Sequence, residues 1–146
     1  MNDFDDLYME VILDHNKNPR NKGNIDKHTN HANGHNPLCG DKIALDLIIE
    51  DNIVKDIKFT GSGCAISTAS SSILTEAIIG KKTSEIRHLF EEFHELVTTD
   101  NKEKNNLGKL TVFKGVKKYP ARVKCATLAW HTLIAAIDGD KEVSTE

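Results

Sequence analysis

Lys42-Ile43-Ala44-Leu45-Asp46-Leu47-Ile48-Ile49-Glu50-Asp51-Asn52-Ile53-Val54-Lys55-Asp56-Ile57-Lys58-Phe59 is the stretch that decides the fold. Ile43, Leu45, Leu47 and Ile49 alternate with Ala44, Asp46, Ile48 and Glu50, the two-residue period of a strand with one buried face. Asp51-Asn52 then turns the chain into a second run carrying Ile53, Val54, Ile57 and Phe59, so the pattern predicts a β-hairpin. Cys39 and Asp41 lie just before the first strand, and Gly61, Gly63 and Cys64 just past the second. Antiparallel pairing brings those two ends together and makes Cys39 and Cys64 neighbours by topology alone.

Helical periods flank the hairpin. Phe4, Leu7, Tyr8, Val11, Ile12 and His15 share one helix face, with Asn2 or Asp3 placed to cap its start and Asn18-Pro19 to end it. Asp5, Asp6 and Glu10 read as solvated acids of that helix, the two aspartates where its dipole favours negative charge. From Arg20 to Pro37 the chain is polar and reads as a loop leading to Cys39. Ile66, Ala69, Ile73, Leu74, Ala77 and Ile78 form a second helical pattern that Gly80 stops, so Cys64 precedes or opens a helix. Ser70-Ser71-Ser72 within it reads as close helix packing. Thr83 or Ser84 is expected to cap a third helix through Ile86, Leu89, Phe90, Phe93, Leu96 and Val97. Thr98 to Asn106 is a polar connection, and the spacing of Leu107, Leu110, Val112, Phe113 and Val116 assigns no one structure. A last helix is predicted from Pro120 or Val123 to Ile137, with Val123, Ala126, Trp130, Leu133, Ile134 and Ile137 on one face, Gly139 beyond it and Cys125 at its opening turns.

With 146 residues and 38% hydrophobic content the chain can bury one sizeable core, which predicts a single domain over residues 1–146. A formal charge of −3 and 5% aromatic residues offer neither a basic field nor stacking surface for bases, so nucleic acid is not an expected partner. No run approaches the roughly 20 apolar residues of a membrane span, and Met1-Asn2-Asp3-Phe4-Asp5-Asp6 is acidic where a signal peptide is basic. The expected location is the cytoplasm, away from membranes, where three cysteines stay reduced.

Three thiolates and a carboxylate would close a tetrahedral zinc shell. Cys39, Cys64 and Cys125 each adjoin a glycine or a basic residue, and Asp41 follows Cys39 by two positions. An extended Cys39-Gly40-Asp41 segment puts both functional side chains on one face, with Gly40 allowing tight turning. The competing reading of the three thiols is small apolar filler, common for free cysteine. His28, His31 and His35 form a second histidine set, read as a solvated loop because no helical pattern aligns the rings. His15 reads as a partly buried helix residue, and His88, His94 and His131 receive no role. Lys114, Lys117, Lys118, Arg122 and Lys124 form a basic stretch ending at Cys125. The first three lysines read equally as a solvated face, while Arg122 and Lys124, close to the cysteine, are the ones to lower a thiol pKa or meet an acidic partner.

Leu7-Tyr8, Val11-Ile12-Leu13-Asp14-His15, Asn18-Pro19-Arg20-Asn21, Asn36-Pro37-Leu38-Cys39-Gly40-Asp41, Gly61-Ser62-Gly63-Cys64-Ala65-Ile66-Ser67 and Lys124-Cys125-Ala126-Thr127-Leu128-Ala129-Trp130 resemble the iron–sulfur assembly proteins of the NifU N-terminal, IscU and SufU type. The likeness runs nearly the whole chain. Lys124 stands where scaffold-type IscU proteins carry a histidine, and the Thr98-to-Lys118 stretch is longer than theirs, so the SufU branch is the more similar.

The resemblance implies an α+β, SufE/NifU-like domain, with a small antiparallel sheet packed against several helices and a metal site at an exposed end. It further implies Zn2+ held by Cys39, Asp41, Cys64 and Cys125, and a SufS-type cysteine desulfurase dependent on pyridoxal phosphate (PLP) as partner, alongside other iron–sulfur assembly proteins. The function expected on that basis is zinc-dependent sulfur transfer, with Cys39 accepting persulfide sulfur and Arg122 pairing with an acidic partner group or steadying the thiolate. The alternatives are a scaffold on which an iron–sulfur cluster forms on the same thiolates, and a purely structural zinc domain.

Overall fold

The structure, a computed structural model, describes residues 3–99 and 107–144, with the backbone alone for residues 3–8. The expected cap at Asn2, the side chains of Asp3, Phe4, Asp5, Asp6, Leu7 and Tyr8, and most of the connection after Thr98 lie outside the described residues. In chain order the elements are α1 (Asp3–Lys17), β1 (Asn30–Asn36), β2 (Asp41–Glu50), β3 (Ile53–Ser62), α2 (Ala65–Ile78), α3 (Thr83–Thr98), a 3-10 segment (Gly108–Lys118), α4 (Pro120–Asp138) and β4 (Glu142–Ser144). The fold is α+β, with α2 and α4 lying on the sheet. No described helix is long and apolar enough to cross a membrane.

The hairpin forms as its pattern predicts. Leu45 of β2 lies opposite Phe59 of β3, Lys42 opposite Ser62, and Ile43, Leu45, Leu47, Ile57 and Phe59 are all buried. Asp51 and Asn52 both take positive φ, 54° and 61°, the conformation that lets a two-residue turn follow the twist of its strands. The sheet order is β3-β2-β1-β4, antiparallel except for the short edge strand β4, which runs parallel to β1 and makes the sheet mixed.

The Arg20-to-Pro37 run, expected as a loop, contains β1 inside the sheet, paired with β2 along its whole length. Its inward positions are Ala32, Gly34 and Asn36, so the alternation exists without the large apolar residues that announce a strand. Gly34 is required there by close approach. A Cβ on it would stand 1.9 Å from Thr132 Oγ1 and 3.2 Å from Leu128 Cδ1, where α4 crosses the sheet. The first part of the run does act as a covering segment, with Gly23 N–H donating to Phe59 O at 2.8 Å and Phe59 N–H to Asn21 O at 3.0 Å along the outer edge of β3.

The helices follow their apolar periods, with two corrections. The cap of α3 is Lys82, because the Glu85 carboxylate reaches back to accept the Lys82 N–H at 3.1 Å and draws Thr83 and Ser84 into the first turn. α4 is buried well beyond one stripe, since Thr127, Ala129, Thr132, Ala135 and Ala136 also face neighbours and their small side chains carry little apolar signal. The 3-10 segment buries Leu110, Val112, Phe113 and Val116. Phe113 meets Phe93 edge-on at 6.0 Å, and Phe93 stacks on Trp130 at 5.3 Å, which locks α3 and the 3-10 segment to α4.

The serine run is close packing, as expected. Ser70 Oγ donates to Ala126 O at 2.6 Å and Ser71 Oγ to Ser67 O at 2.9 Å. Ser72 Oγ accepts the Arg20 N–H at 2.8 Å and bonds His15 Nδ1 at 2.7 Å, tying α1 and the chain after it to α2. His15 is more deeply buried than a partly covered helix residue, at 1% exposure. Burial pushes its pKa down, the Arg20 and Lys109 charges push the same way, and Glu76 and Asp14 only partly oppose them.

Two measurements check this packing. Gly34→Ala overpacks the β1–α4 crossing and is expected to cost about 1–3 kcal/mol, read as a lower urea midpoint; an unchanged midpoint contradicts the close approach. His15 has a folded pKa below its unfolded value, so the unfolded chain takes up the proton first and stability falls as pH drops through the unfolded value of about 6.5. His15→Gln should therefore lose less stability than the parent between pH 7 and pH 5; parallel losses would show that burial does not keep the ring neutral.

Candidate metal centre

Register builds the centre. β1 and β2 are joined by the turn at residues 37–40, and Asn36 pairs across it with Asp41. Cys39 therefore sits on a hairpin turn, and the expected extended Cys39-Gly40-Asp41 geometry is replaced by a turn in which Gly40 has φ +71°. The β2–β3 pairing brings Gly63 and Cys64 back beside Asp41, as topology predicts. α4 supplies Cys125 from its second turn.

Asp41 is fully buried, and its oxygens are held from both sides. Asn36 Nδ2 donates to Oδ2 at 3.2 Å, and the Cys64 N–H donates to Oδ1 at 2.9 Å. Gly63 leaves the space for this: a Cβ there would stand 2.5 Å from Asp41 Oδ1. Cys64 is the N-cap of α2, its sulfur accepting the Ser67 N–H at 3.4 Å. Asn36 Nδ2 also lies 3.7 Å from Cys125 Sγ, while Asn36 Oδ1 is buried without a hydrogen-bond partner among the described residues. Sequence reasoning gave Asn36 no role. Its position next to the Pro37-to-Asp41 turn was the available signal.

Cys39, Asp41 and Cys125 offer ligand atoms that all lie within 4.8 Å of one another. The Cys39 and Cys125 sulfurs are 3.3 Å apart, near the roughly 3.8 Å that tetrahedral zinc with Zn–S of about 2.3 Å would set. Cys64 Sγ stands outside that set, yet is close enough to Cys125 to act on its ionisation. Burial pushes the Cys125 thiol far up, and Cys39, Asp41 and Cys64 around it push it further. A divalent cation bound there would remove the penalty on the Cys125 thiolate. The donor set fits zinc, and it fits an iron–sulfur cluster equally in ligand type.

The other singled-out residues are distributed differently. The Arg122 guanidinium, in the first turn of α4, lies over the Tyr119 ring at 5.8 Å from its centroid, and no hydrogen bond joins it to the three sulfurs among the described residues. His28 and His31 gather around Asp46 on the outer face of the sheet. His35 is exposed on β1, His88 pairs with Glu92 at 2.7 Å, and His94 and His131 flank Phe90.

Gly63→Ala forces the Asp41 carboxylate aside and should weaken zinc binding by about 10–100-fold, measured by chelator competition on folded protein. Unchanged affinity would show that Asp41 placement does not matter to the metal.

The chain matches the family described as NifU-like N terminal domain over residues 7–137. It is 43% identical over 134 residues to the iron-sulfur cluster assembly scaffold protein IscU of Thermotoga maritima, covering 92% of this chain and 94% of that one. It is 42% identical to the zinc-dependent sulfurtransferase SufU of Bacillus subtilis, covering 89% and 88% of the two chains. Among solved structures, a candidate iron–sulfur cluster assembly scaffold for the SUF system from Fervidobacterium islandicum superposes with a TM-score of 0.84 at 36% identity, covering 88% of this chain and 94% of that one. A cysteine and aspartate cluster on this fold, with full-length likeness to both kinds of relative, places the chain in the NifU-like N-terminal domain family.

Proposed function

We propose that this protein works in iron–sulfur cluster assembly as a zinc-dependent sulfurtransferase, with Cys39, Asp41, Cys64 and Cys125 as the zinc ligands and Cys39 as the sulfur acceptor. The observation that carries this reading is the unequal burial of the ligands. Asp41 is 0% exposed and Cys125 2%, whereas Cys39 is exposed on a turn whose neighbour Leu38 is 63% exposed. Asp41 and Cys125 are thus built into the fold, Cys64 is half-buried at the start of α2, and Cys39 is open to solvent. Zinc, when bound, supplies the positive charge that keeps the sulfurs as thiolates at neutral pH.

The chain's own residues divide the work. Asn36 and the Cys64 N–H hold Asp41 in place. The Cys39 thiolate attacks the outer sulfur of a cysteine persulfide on the desulfurase; a new S–S bond forms at Cys39, the old one breaks, and the desulfurase cysteine leaves as a thiolate. Arg122, exposed with Tyr119 at the start of α4, is the residue we assign to pair with an acidic group of the desulfurase, a PLP enzyme, or to steady the thiolate.

A second reading has a specific observation in its favour. The Thermotoga maritima relative, as similar as the sulfurtransferase, is named a scaffold, and the same three thiolates can bind a cluster as cargo. Cysteine-dependent alanine production by a SufS-type desulfurase, without iron, separates the two. Zinc-loaded protein should accelerate it and the folded Cys39→Ala variant should not. No acceleration by the parent protein would sink sulfur transfer and favour the scaffold.

A further inference from the structure

We infer that His28, His31 and Asp46 form a second transition-metal site, separate from the cysteine centre. One ring nitrogen from each histidine and an Asp46 oxygen lie within 4.8 Å of one another. Three independent pieces of the fold converge to make this happen. The β1–β2 register sets His31 directly opposite Asp46, and His31 Nδ1 is 2.5 Å from Asp46 Oδ1. The covering segment before β1 brings His28 over the same carboxylate, its Nδ1 3.7 Å from Oδ1, with the two rings 5.4 Å apart and tilted by 34°. Asp46 itself is 5% exposed although it points away from the core, because that segment lies over it and the Ile25 N–H binds its Oδ2 at 2.9 Å.

That arrangement is a buried carboxylate fixed at one oxygen, with the other facing two half-exposed imidazoles. His28 Nδ1 donates to Ile25 O at 2.8 Å, which orients the ring before any ion arrives; binding through Nδ1 would release that proton and give up that bond. Two neutral imidazoles and one carboxylate leave a single negative charge, which suits a divalent cation. Nitrogen-rich donors of this kind select zinc, nickel or copper over magnesium or calcium, and three protein ligands leave a position for water. His35 cannot join. Four residues further along β1 it lies about 13 Å away, given a rise of about 3.3 Å per residue. The same rise puts Asp41 about 17 Å from Asp46 along β2, so the two centres share no ligand.

The test uses the full chain with its cysteine centre zinc-saturated and excess metal removed. Zinc is then titrated while bound metal is counted after equilibrium dialysis and imidazole signals are followed by NMR. The wild type should take up about one further ion per chain, shifting the His28 and His31 ring signals first. The His28→Ala/His31→Ala variant should lose that ion and keep the cysteine-bound one, whereas Cys39→Ala should keep the histidine site. Uptake without movement of the His28 and His31 signals in the wild type, or no further uptake, overturns the assignment. The NMR readout needs no variant, so a folding defect in the double variant leaves the result decisive.

Discussion

The buried carboxylate of Asp41 is the constraint from which the rest of the centre follows. A carboxylate with no access to water costs several kcal/mol unless donors meet it. Here the donors are the Asn36 amide, at the end of β1, and the Cys64 N–H, at the start of α2. Both hairpin registers must therefore hold at once, and a one-residue slip in either would leave Asp41 facing nothing. Cys39 and Cys64 ride on these same elements, so satisfying one buried carboxyl group also positions two of the cysteines. Gly63 belongs to this logic, since its missing side chain is the volume the carboxylate occupies.

α4 is the second support, and it works by being small. Alanines, threonines and Gly34 of β1 let the helix sit close on the sheet, while Trp130 and its aromatic neighbours fill the opposite side. That close seating holds Cys125 at 2% exposure among atoms that resist its ionisation. The turn carrying Cys39 has the reverse character, with Leu38 and Cys39 both exposed and little buried apolar contact to resist opening.

Much of the architecture was legible because it was written in periodicity. The β2–β3 hairpin carried large apolar residues at period two and a turn sequence suited to positive φ, so its extent and its meeting ends could be read directly. α1, α2 and α4 were visible for the same reason. β1 was invisible because its inward residues are alanine, glycine and asparagine, chosen by the closeness of α4 and by the need to bind Asp41. The cap of α3 was missed because a glutamate reaching back from the third position defines it, rather than the hydroxyl residues beside it.

Residue type and order, by themselves, determined that the Asp41 and Cys64 ends of the hairpin would meet, since antiparallel pairing of neighbouring segments is a local matter. They also marked the family through motifs spread along the chain. Only the tertiary structure decided that Cys39 lies on an exposed turn, that Cys125 joins Cys39 and Asp41 while Cys64 Sγ lies outside that set, and that His28 and His31 belong with Asp46. Those outcomes depend on which side of the sheet a covering segment crosses and how closely a helix can approach it. Such contacts join residues far apart in sequence, and no local pattern encodes them.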